Sequence, residues 1–411
     1  MSEAANISGW AVFAHRDFRL FLLARLSWTM AFQMLGAAVG WQIYRLTGRA
    51  LDLGLAGLAQ FVPILLFSLP AGQVADRFDR VRVIRACLVL CFICAVLLAG
   101  LTLLATPAVG QILAVLALLA TAVAFFGPAA QALMPNLVPR SHIPSAVGWH
   151  STAWQVGTIS GPALAGILLL VGEAWVYAVI GFLFALPLLL VARLAPRPAA
   201  GSKEPLDWAS LTSGLRYVWR TRLVLGAISL DLVAVLLGGV TALMPIFASD
   251  ILGVGAVGYG WLRAAPAIGA ALTALTLAQW PVRAKLGRAM LWGVGVYGLA
   301  TLIFGFSTLY PLSLIMMILA GGADMMSVFV RNNLIQLATP DALRGRVGAV
   351  SSIFVTASNE LGEFESGALA ALIGVVPCVI VGAAGTLLAV ALWPRLFPAF
   401  AKVVRIEDEA A

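Results

Sequence analysis

Residues 356–367 of the chain read TASNELGEFESG and hold three carboxylates, Glu360, Glu363 and Glu365, within six positions. Apolar sequence surrounds this stretch, over residues 347–355 on one side and 368–376 on the other. An ionisable group in the middle of a bilayer is costly and usually functional. Whether this stretch crosses a membrane therefore decides both the fold and the site.

The composition indicates an integral membrane protein. The chain has 411 residues, of which 62% are hydrophobic and 11% charged, whereas soluble proteins average about 25% charged residues. The net charge of +8 does not predict a nucleic-acid partner, because the basic residues lie in short loops, where they orient a membrane protein. No metal site and no cofactor are expected.

Apolar runs predict an all-α fold, since a membrane-spanning helix needs about 20 apolar residues. We predict twelve spans, at residues 19–45, 53–73, 83–105, 108–133, 145–171, 174–194, 223–249, 255–280, 288–307, 310–335, 347–373 and 375–394. The longest polar break, 195–222, includes an amphipathic piece at 206–219 that is typical of an interfacial helix. The predicted domains are thus a six-helix bundle at 1–194, a cytoplasmic linker at 195–222, a second six-helix bundle at 223–395 and a tail at 396–411.

Lys and Arg set the predicted orientation. Basic residues concentrate in the N-terminal arm, in the linker, in the tail and in the loops after even-numbered spans, whereas the opposite face has only Arg45 and Arg49. Both termini are therefore expected on the cytoplasmic side of the inner membrane, with the chain embedded in the lipid bilayer.

The two predicted halves resemble each other. A shift of 201 residues places Pro139 on Pro340, Gly161 on Gly362 and Gly166 on Gly367, so span five corresponds to span eleven. Two parallel six-helix repeats with a site between them are typical of a transporter.

The loop at 72–82, GQVADRFDRVR, resembles the signature loop of the major facilitator superfamily, although Asp79 and Val81 depart from its pattern. The residues that match are Gly72, Asp76, Arg77, Arg80 and Arg82. The resemblance implies the major facilitator fold of two pseudo-symmetric bundles, and a gating loop whose Asp76 meets the cytoplasmic start of span eleven. Arg80 and Arg82 are expected to pair across the same interface. The alternative is a basic turn that only sets orientation.

Span five looks like the antiporter motif of the superfamily's exporters, with Gly157, Gly161, Pro162 and Gly166. We expect its glycines to let span five approach a helix of the other half, and Pro162 to loosen the helix. Together with residues 15–21, 135–139 and 343–347, the motif resembles the branch of enterobactin-type siderophore exporters and macrolide-type drug:proton antiporters. Span four lacks the arginine that many drug:proton antiporters carry, so their proton scheme does not transfer directly.

Eight ionisable residues fall inside the predicted spans. The proton-coupling candidates are Glu360, Asp324, Asp231, Glu363 and Glu365, and their possible charge partners are Arg331, Arg263 and Arg25. A buried carboxylate must pair with a cation or take up a proton. Asp324 and Glu360 rank first because each lies roughly 20 Å from the start of its span. Glu360 and Glu363 share one helix face, and Glu365 points elsewhere.

Two alternatives stay open for these charges. Arg331 and Arg263 could neutralise two of the acids as fixed struts, which would leave those acids unable to carry protons. Arg25 could reach the interface by snorkelling, or it could contact substrate.

The resemblance also implies that spans one, four, seven and ten line a central cavity. The cavity candidates on these spans are Trp28, Gln33, Trp41, Phe125, Phe126, Gln131, Met244, Met325, Met326, Phe329 and Asn333. An aromatic and methionine lining suits a bulky amphipathic small molecule, although many of these residues could simply pack between helices.

The function predicted from the sequence is proton-coupled export of a small amphipathic molecule, such as a drug or siderophore, by a monomer that works by alternating access. The alternatives are an importer or lipid flippase of the same fold, and a membrane sensor without transport. An enzyme is not expected, because no nucleophile–base pair and no phosphate-binding loop occur in the sequence.

Overall fold

A computed structural model of the chain describes residues 9–104, 107–194, 208–280, 282, 285–398 and 400. Within these residues all regular structure is helical, which confirms the all-α prediction. The first six long helices are α1 (Arg16–Thr47), α2 (Ala50–Arg77), α3 (Arg80–Thr102), α4 (Val109–Leu133), α5 (Ile143–Leu168) and α6 (Glu173–Ala192).

The second set begins with the short helix α7 (Trp208–Arg220), at the position of the predicted amphipathic piece. The others are α8 (Arg222–Leu237), the one-turn α9 (Met244–Ile246), α10 (Gly255–Gln279), α11 (Leu286–Phe306), α12 (Tyr310–Ala338), α13 (Asp341–Ile373) and α14 (Val375–Leu396). The predicted linker residues 195–207 and tail residues 399 and 401–411 lie outside the described residues.

Ten helical stretches of the described chain are long and apolar enough to cross a membrane. The two other long helices, α5 and α13, do not meet that criterion. They are the two helices that the internal repeat relates to each other. The twelve predicted spans each coincide with one of these twelve helical stretches, and the chain is a multi-pass membrane protein.

Predicted span seven is a broken helix rather than a continuous one. After α8, the chain passes through Gly238 and Gly239 into a 3₁₀ turn at Val240–Leu243, then α9, then a π-helical turn at Phe247–Ile251. Two consecutive glycines weaken a helix, and Pro245 lacks the N–H that would continue it. The hydroxyl of Tyr297 donates a 2.9 Å hydrogen bond to the carbonyl of Gly238, which satisfies an acceptor at the break.

Helix packing divides the chain into two compact units. The first comprises Met1–Val39 with Val62–Pro205, and the second Gly40–Phe61 with Leu206–Ala411. The predicted first half contained all of 1–194, whereas residues 40–61 pack with the second unit. The predicted domain limits stay a prediction.

Close backbone approach organises the second unit. A Cβ atom built on Gly269 of α10 lies 1.8 Å from the carbonyl oxygen of Ile318, and one on Gly321 of α12 lies 2.0 Å from that of Pro266. No side chain fits at either point, so these glycines set the crossing of α10 and α12.

The first unit contains a similar contact, with a partner that the sequence did not predict. Cβ atoms built on Gly157 and Gly161 of α5 lie 2.7 Å from Thr29 and 2.8 Å from Gln33, both on α1 of the same unit. The expectation that span five also approaches a helix of the other half stays a prediction. Small residues signal that a helix is approached closely, but not by which helix.

Candidate functional site

The acidic stretch lies past the middle of α13, which begins six residues earlier than predicted. Glu360 is thus roughly 28 Å from the helix start and roughly 20 Å from its end, at 1.5 Å per residue. Glu360, Glu363 and Glu365 are all half-buried. Their surroundings within the second unit differ, and this separates their possible roles.

One face of α13 packs on two glycines of α2. A Cβ atom built on Gly57 lies 2.8 Å from the carbonyl oxygen of Glu360 and 2.9 Å from the Cβ of Glu363. One turn earlier on α2, a Cβ atom built on Gly54 lies 3.0 Å from the Cα of Gly367. The absence of side chains on α2 therefore brings its backbone directly against the helix face that holds both glutamates.

A single arginine serves this pair of acids. Arg263 of α10 interacts electrostatically with both Glu363 and Glu360, and it donates a hydrogen bond to the hydroxyl of Tyr259. Tyr259 is fully buried and stacks on Trp41 with ring centroids 5.4 Å apart. One guanidinium can neutralise only one carboxylate. The second carboxylate of the pair therefore stays without a cation unless it takes up a proton.

Another face of α13 meets the break after α8. A Cβ atom built on Gly239 lies 2.4 Å from the carbonyl oxygen of Gly362 and 2.5 Å from the Oγ of Ser366. Glu365 lies elsewhere: it accepts a 3.4 Å hydrogen bond from the Ser366 hydroxyl and interacts with Cys378 of α14. This places Glu365 away from Arg263, in agreement with the predicted division of the three acids.

Asp231 has a cation of its own. It forms a short ion pair with Arg331, and both residues are only 4% exposed. The Ser327 hydroxyl also donates a 3.4 Å hydrogen bond to the other carboxylate oxygen of Asp231. This geometry is that of a fixed strut between α8 and α12, which was one of the alternatives for this acid.

Asp324 has no ion pair within the described residues. It is half-buried on α12 and interacts electrostatically with Tyr297, the residue whose hydroxyl bonds the carbonyl of Gly238 at the break. Asp324 is thus connected through one side chain to the irregular segment that follows α8. It remains a second candidate for carrying a proton.

Arg25 lies among aromatic rings in the first unit. Its guanidinium carbon is 4.9 Å from the ring centroid of Trp28, 5.7 Å from that of Phe126 and 4.7 Å from that of Trp154. Its Nε atom is buried and makes no hydrogen bond. This arrangement differs from those of Arg263 and Arg331, which both face carboxylates.

The remaining cavity candidates divide into buried and accessible groups. Trp28 and Phe126 stack on each other with centroids 4.3 Å apart, and Met244 is also buried. Met326 and Phe329 pack against the hydrophobic core of the second unit, which favours a packing role for them. Gln33, Phe125, Met325 and Asn333 are half-buried, Trp41 is buried against Tyr259, and Gln131 is exposed near the end of α4.

The predicted gating loop is tied to the first unit. The Arg80 guanidinium donates hydrogen bonds to the carbonyls of Ala75, at 3.5 Å, and Ala132, at 3.2 Å. Asp79 caps α3 by accepting a 3.0 Å bond from the backbone N–H of Arg82, whose side chain is exposed. Gly72 is half-buried and Arg77 exposed. The side chain of Asp76 lies outside the described part of the structure, so its predicted contact with span eleven stays a prediction.

Sequence reasoning missed five participants. Tyr259 and Tyr297 are aromatic residues without a distinctive pattern, and Trp154 is far in sequence from Arg25. Gly54 and Gly57 did carry a signal, because two glycines three residues apart in an apolar helix indicate close packing. Within the described residues, no group of three or more His, Cys, Asp or Glu side chains could hold a metal ion.

The fold and these buried charges define a multi-pass membrane transporter. The model of the Major Facilitator Superfamily matches residues 21–363, and the chain therefore belongs to that family. It is accordingly a transporter and not an enzyme.

Particular relatives refine this assignment. The chain is 29% identical over 384 residues to the enterobactin exporter EntS of Shigella dysenteriae serotype 1 (strain Sd197), covering 90% of this chain and 88% of that protein. It is 30% identical, with the same coverage, to the enterobactin exporter EntS of Escherichia coli O81 (strain ED1a).

Solved structures share the fold at low sequence identity. The nucleoside transporter NupG has a TM-score of 0.72 at 14% identity, covering 94% of this chain and 99% of that one. A D-xylose-proton symporter has a TM-score of 0.72 at 14% identity, again covering 94% and 99%. A bacterial homologue of the human lysosomal transporter Spinster has a TM-score of 0.70 at 17% identity, covering 94% and 96%.

Proposed function

We propose that the chain is a proton-coupled exporter of a small amphipathic molecule of the siderophore or drug type, and that it works by alternating access. The observation that carries the proposal is that Glu360 and Glu363 both interact with the guanidinium of Arg263, the one arginine among the described residues that interacts with this pair. Because one guanidinium can neutralise only one of the two carboxylates, we assign Glu363 to Arg263 and Glu360 to the uptake and release of the proton.

The same pair lies where a change of charge would alter helix packing. The glutamates contact α2 at Gly57, Arg263 belongs to α10, and neighbouring Gly362 contacts the break after α8. With Glu360 charged, Arg263 is shared between two carboxylates; with Glu360 protonated, it is left to Glu363 alone. Proton binding would thus bias the packing of these helices, as a coupling device requires.

The other acids have supporting roles in this proposal. Asp231 is already neutralised by Arg331, so we assign it to the framework. Asp324 lacks an ion pair among the described residues and stays the second carrier candidate. Both termini are proposed to be cytoplasmic in the inner membrane, in accordance with the distribution of Lys and Arg, and the functional unit is proposed to be a monomer.

The direction of transport and the substrate class rest on the relatives. Two relatives at 29% and 30% identity are enterobactin exporters, whereas the structural neighbours include a D-xylose-proton symporter. The greater sequence similarity is to the exporters, and the aromatic residues of the first unit suit an amphipathic ligand better than a sugar. Import or lipid flipping remains the alternative within this fold.

The proposal is tested by uptake of radiolabelled enterobactin into proteoliposomes that contain the full chain. An antiporter exchanges lumenal protons for substrate, so we expect an acidic lumen to increase accumulation several-fold, and a protonophore to abolish the increase. Protein-free liposomes and labelled xylose serve as controls. Accumulation that ignores the gradient, or that rises with an acidic exterior, would contradict proton-coupled export.

A further inference from the structure

The guanidinium of Arg25 is surrounded by rings from three helices of one compact unit. Trp28 and Arg25 lie on α1, Phe126 on α4 and Trp154 on α5, with ring centroids 4.7–5.7 Å from the guanidinium carbon. Cation–π contacts of this kind hold a guanidinium in place through the faces of the rings. They leave its N–H groups, which point outward in its plane, without acceptors.

Among the described residues, no acceptor takes those N–H groups. The buried Nε makes no hydrogen bond, and Arg25 has no ion pair among the described residues. A half-buried guanidinium without an anion is unfavourable, and Arg263 and Arg331 are both provided with carboxylates. Arg25 therefore has N–H donors that an anion could occupy, since a guanidinium can bind a carboxylate through two parallel hydrogen bonds.

The cluster lies well inside the predicted membrane region. At 1.5 Å per residue, Arg25 is roughly 14 Å from the start of α1, Trp154 roughly 17 Å from the start of α5 and Phe126 roughly 11 Å from the end of α4. These helix ends lie on one predicted side, so the residues share a level. Because the guanidinium is enclosed by rings, interfacial snorkelling, the other reading of Arg25, is not supported.

One ring of the cluster is accessible. Trp154 is 38% exposed, whereas Trp28 and Phe126 are 3% and 4% exposed. Trp154 lies on α5 one turn before Gly157, which contacts α1, so the indole belongs to the face of α5 that packs beside the helix carrying Arg25. His150, one turn earlier on α5, also interacts with the guanidinium. An accessible indole beside an unpaired guanidinium provides a stacking surface next to an anion-binding group.

We propose that Arg25, Trp28, Phe126 and Trp154 form a binding site for a small aromatic anion, with Arg25 binding the anionic group and Trp154 stacking on the ring. As the recognition site for exported substrate, it rests on the proposed function and narrows the substrate class to molecules with an acidic aromatic group. As a binding site, it requires neither proton coupling nor a particular direction of transport.

The test is isothermal titration calorimetry of the purified full chain in detergent, with 2-naphthoate as the probe. We expect saturable binding of 2-naphthoate, and none of the neutral 2-naphthalenemethanol at the same concentrations. Arg25→Gln is expected to weaken 2-naphthoate binding by at least about tenfold, the scale of a charge-assisted bidentate contact. Trp154→Leu should weaken it less, and Trp154→Phe should restore most of it.

Controls separate a binding defect from misfolding and from failure of the export proposal. Arg140→Gln, at an exposed arginine of the same unit, should bind as the wild type does, and every variant must elute as a monodisperse peak. Equal binding of the neutral analogue, undiminished binding by both Arg25→Gln and Trp154→Leu, or no saturable binding by the wild type would overturn the proposal. Glu360→Gln should still bind 2-naphthoate although it loses gradient-driven transport, and wild-type transport that ignores the pH gradient would refute proton coupling without touching this site.

Discussion

Glu360→Gln is expected to reduce export driven by a pH gradient by at least about tenfold, the scale of a typical coupling free energy. Glutamine has the shape of a protonated glutamate and cannot release a proton. The side chain at position 360 therefore stays uncharged beside Glu363. Arg263 then keeps Glu363 as its only carboxylate partner. The measurement is accumulation of labelled enterobactin in proteoliposomes with and without an acidic lumen.

Glu365→Gln is the matched control. It makes the same chemical change on the same helix, at a carboxylate that interacts with Ser366 and Cys378 rather than with Arg263. We expect it to retain most gradient-driven accumulation. If both variants transport like the wild type, the proton is carried elsewhere, and Asp324 becomes the first acid to replace. If Glu365→Gln alone fails, the division of roles along α13 is wrong.

Arg331→Met is expected to destabilise the protein by about 3–5 kcal/mol, because it leaves the carboxylate of Asp231 buried without its cation. Both partners are only 4% exposed, and the hydroxyl of Ser327 is the other donor to Asp231 within the described residues. Chemical or thermal unfolding of the purified variant in detergent measures the loss.

The double variant Asp231→Leu with Arg331→Met distinguishes a strut from a carrier. Replacing a whole buried ion pair by apolar residues is often close to neutral, so we expect most of the lost stability to return. Transport should return with it, since Asp231 has no proton to move in this account. A stable double variant that binds substrate but has lost gradient-driven transport would instead show that Asp231 takes part in coupling.

Hydropathy predicted the helices well because the bilayer dictates their length. Each of the twelve predicted spans coincides with a helical stretch, and the internal repeat pointed to α5 and α13 as a related pair. The break after α8 was missed, although Gly238, Gly239 and Pro245 are all helix breakers. In an apolar run, such residues are tolerated wherever neighbouring helices supply hydrogen bonds, as Tyr297 does here.

The site was predictable in its residue types but not in its pairings. Position in the sequence identified the buried acids and arginines, but it could not show that Arg331 pairs with Asp231 while Arg263 is shared by two glutamates. Pairing depends on how α8, α10, α12 and α13 pack, which hydropathy does not encode. The environment of Arg25 was missed for the same reason, since Phe126 and Trp154 come from other helices.

The central claim is that Glu360 exchanges a proton in step with substrate. It is tested most directly by adding enterobactin to the purified protein in weakly buffered detergent solution with a pH-sensitive dye. The account predicts that binding releases protons from the wild type and from Glu365→Gln, and releases none from Glu360→Gln although that variant still binds. Binding to the wild type without proton release, or equal release from Glu360→Gln, would contradict it.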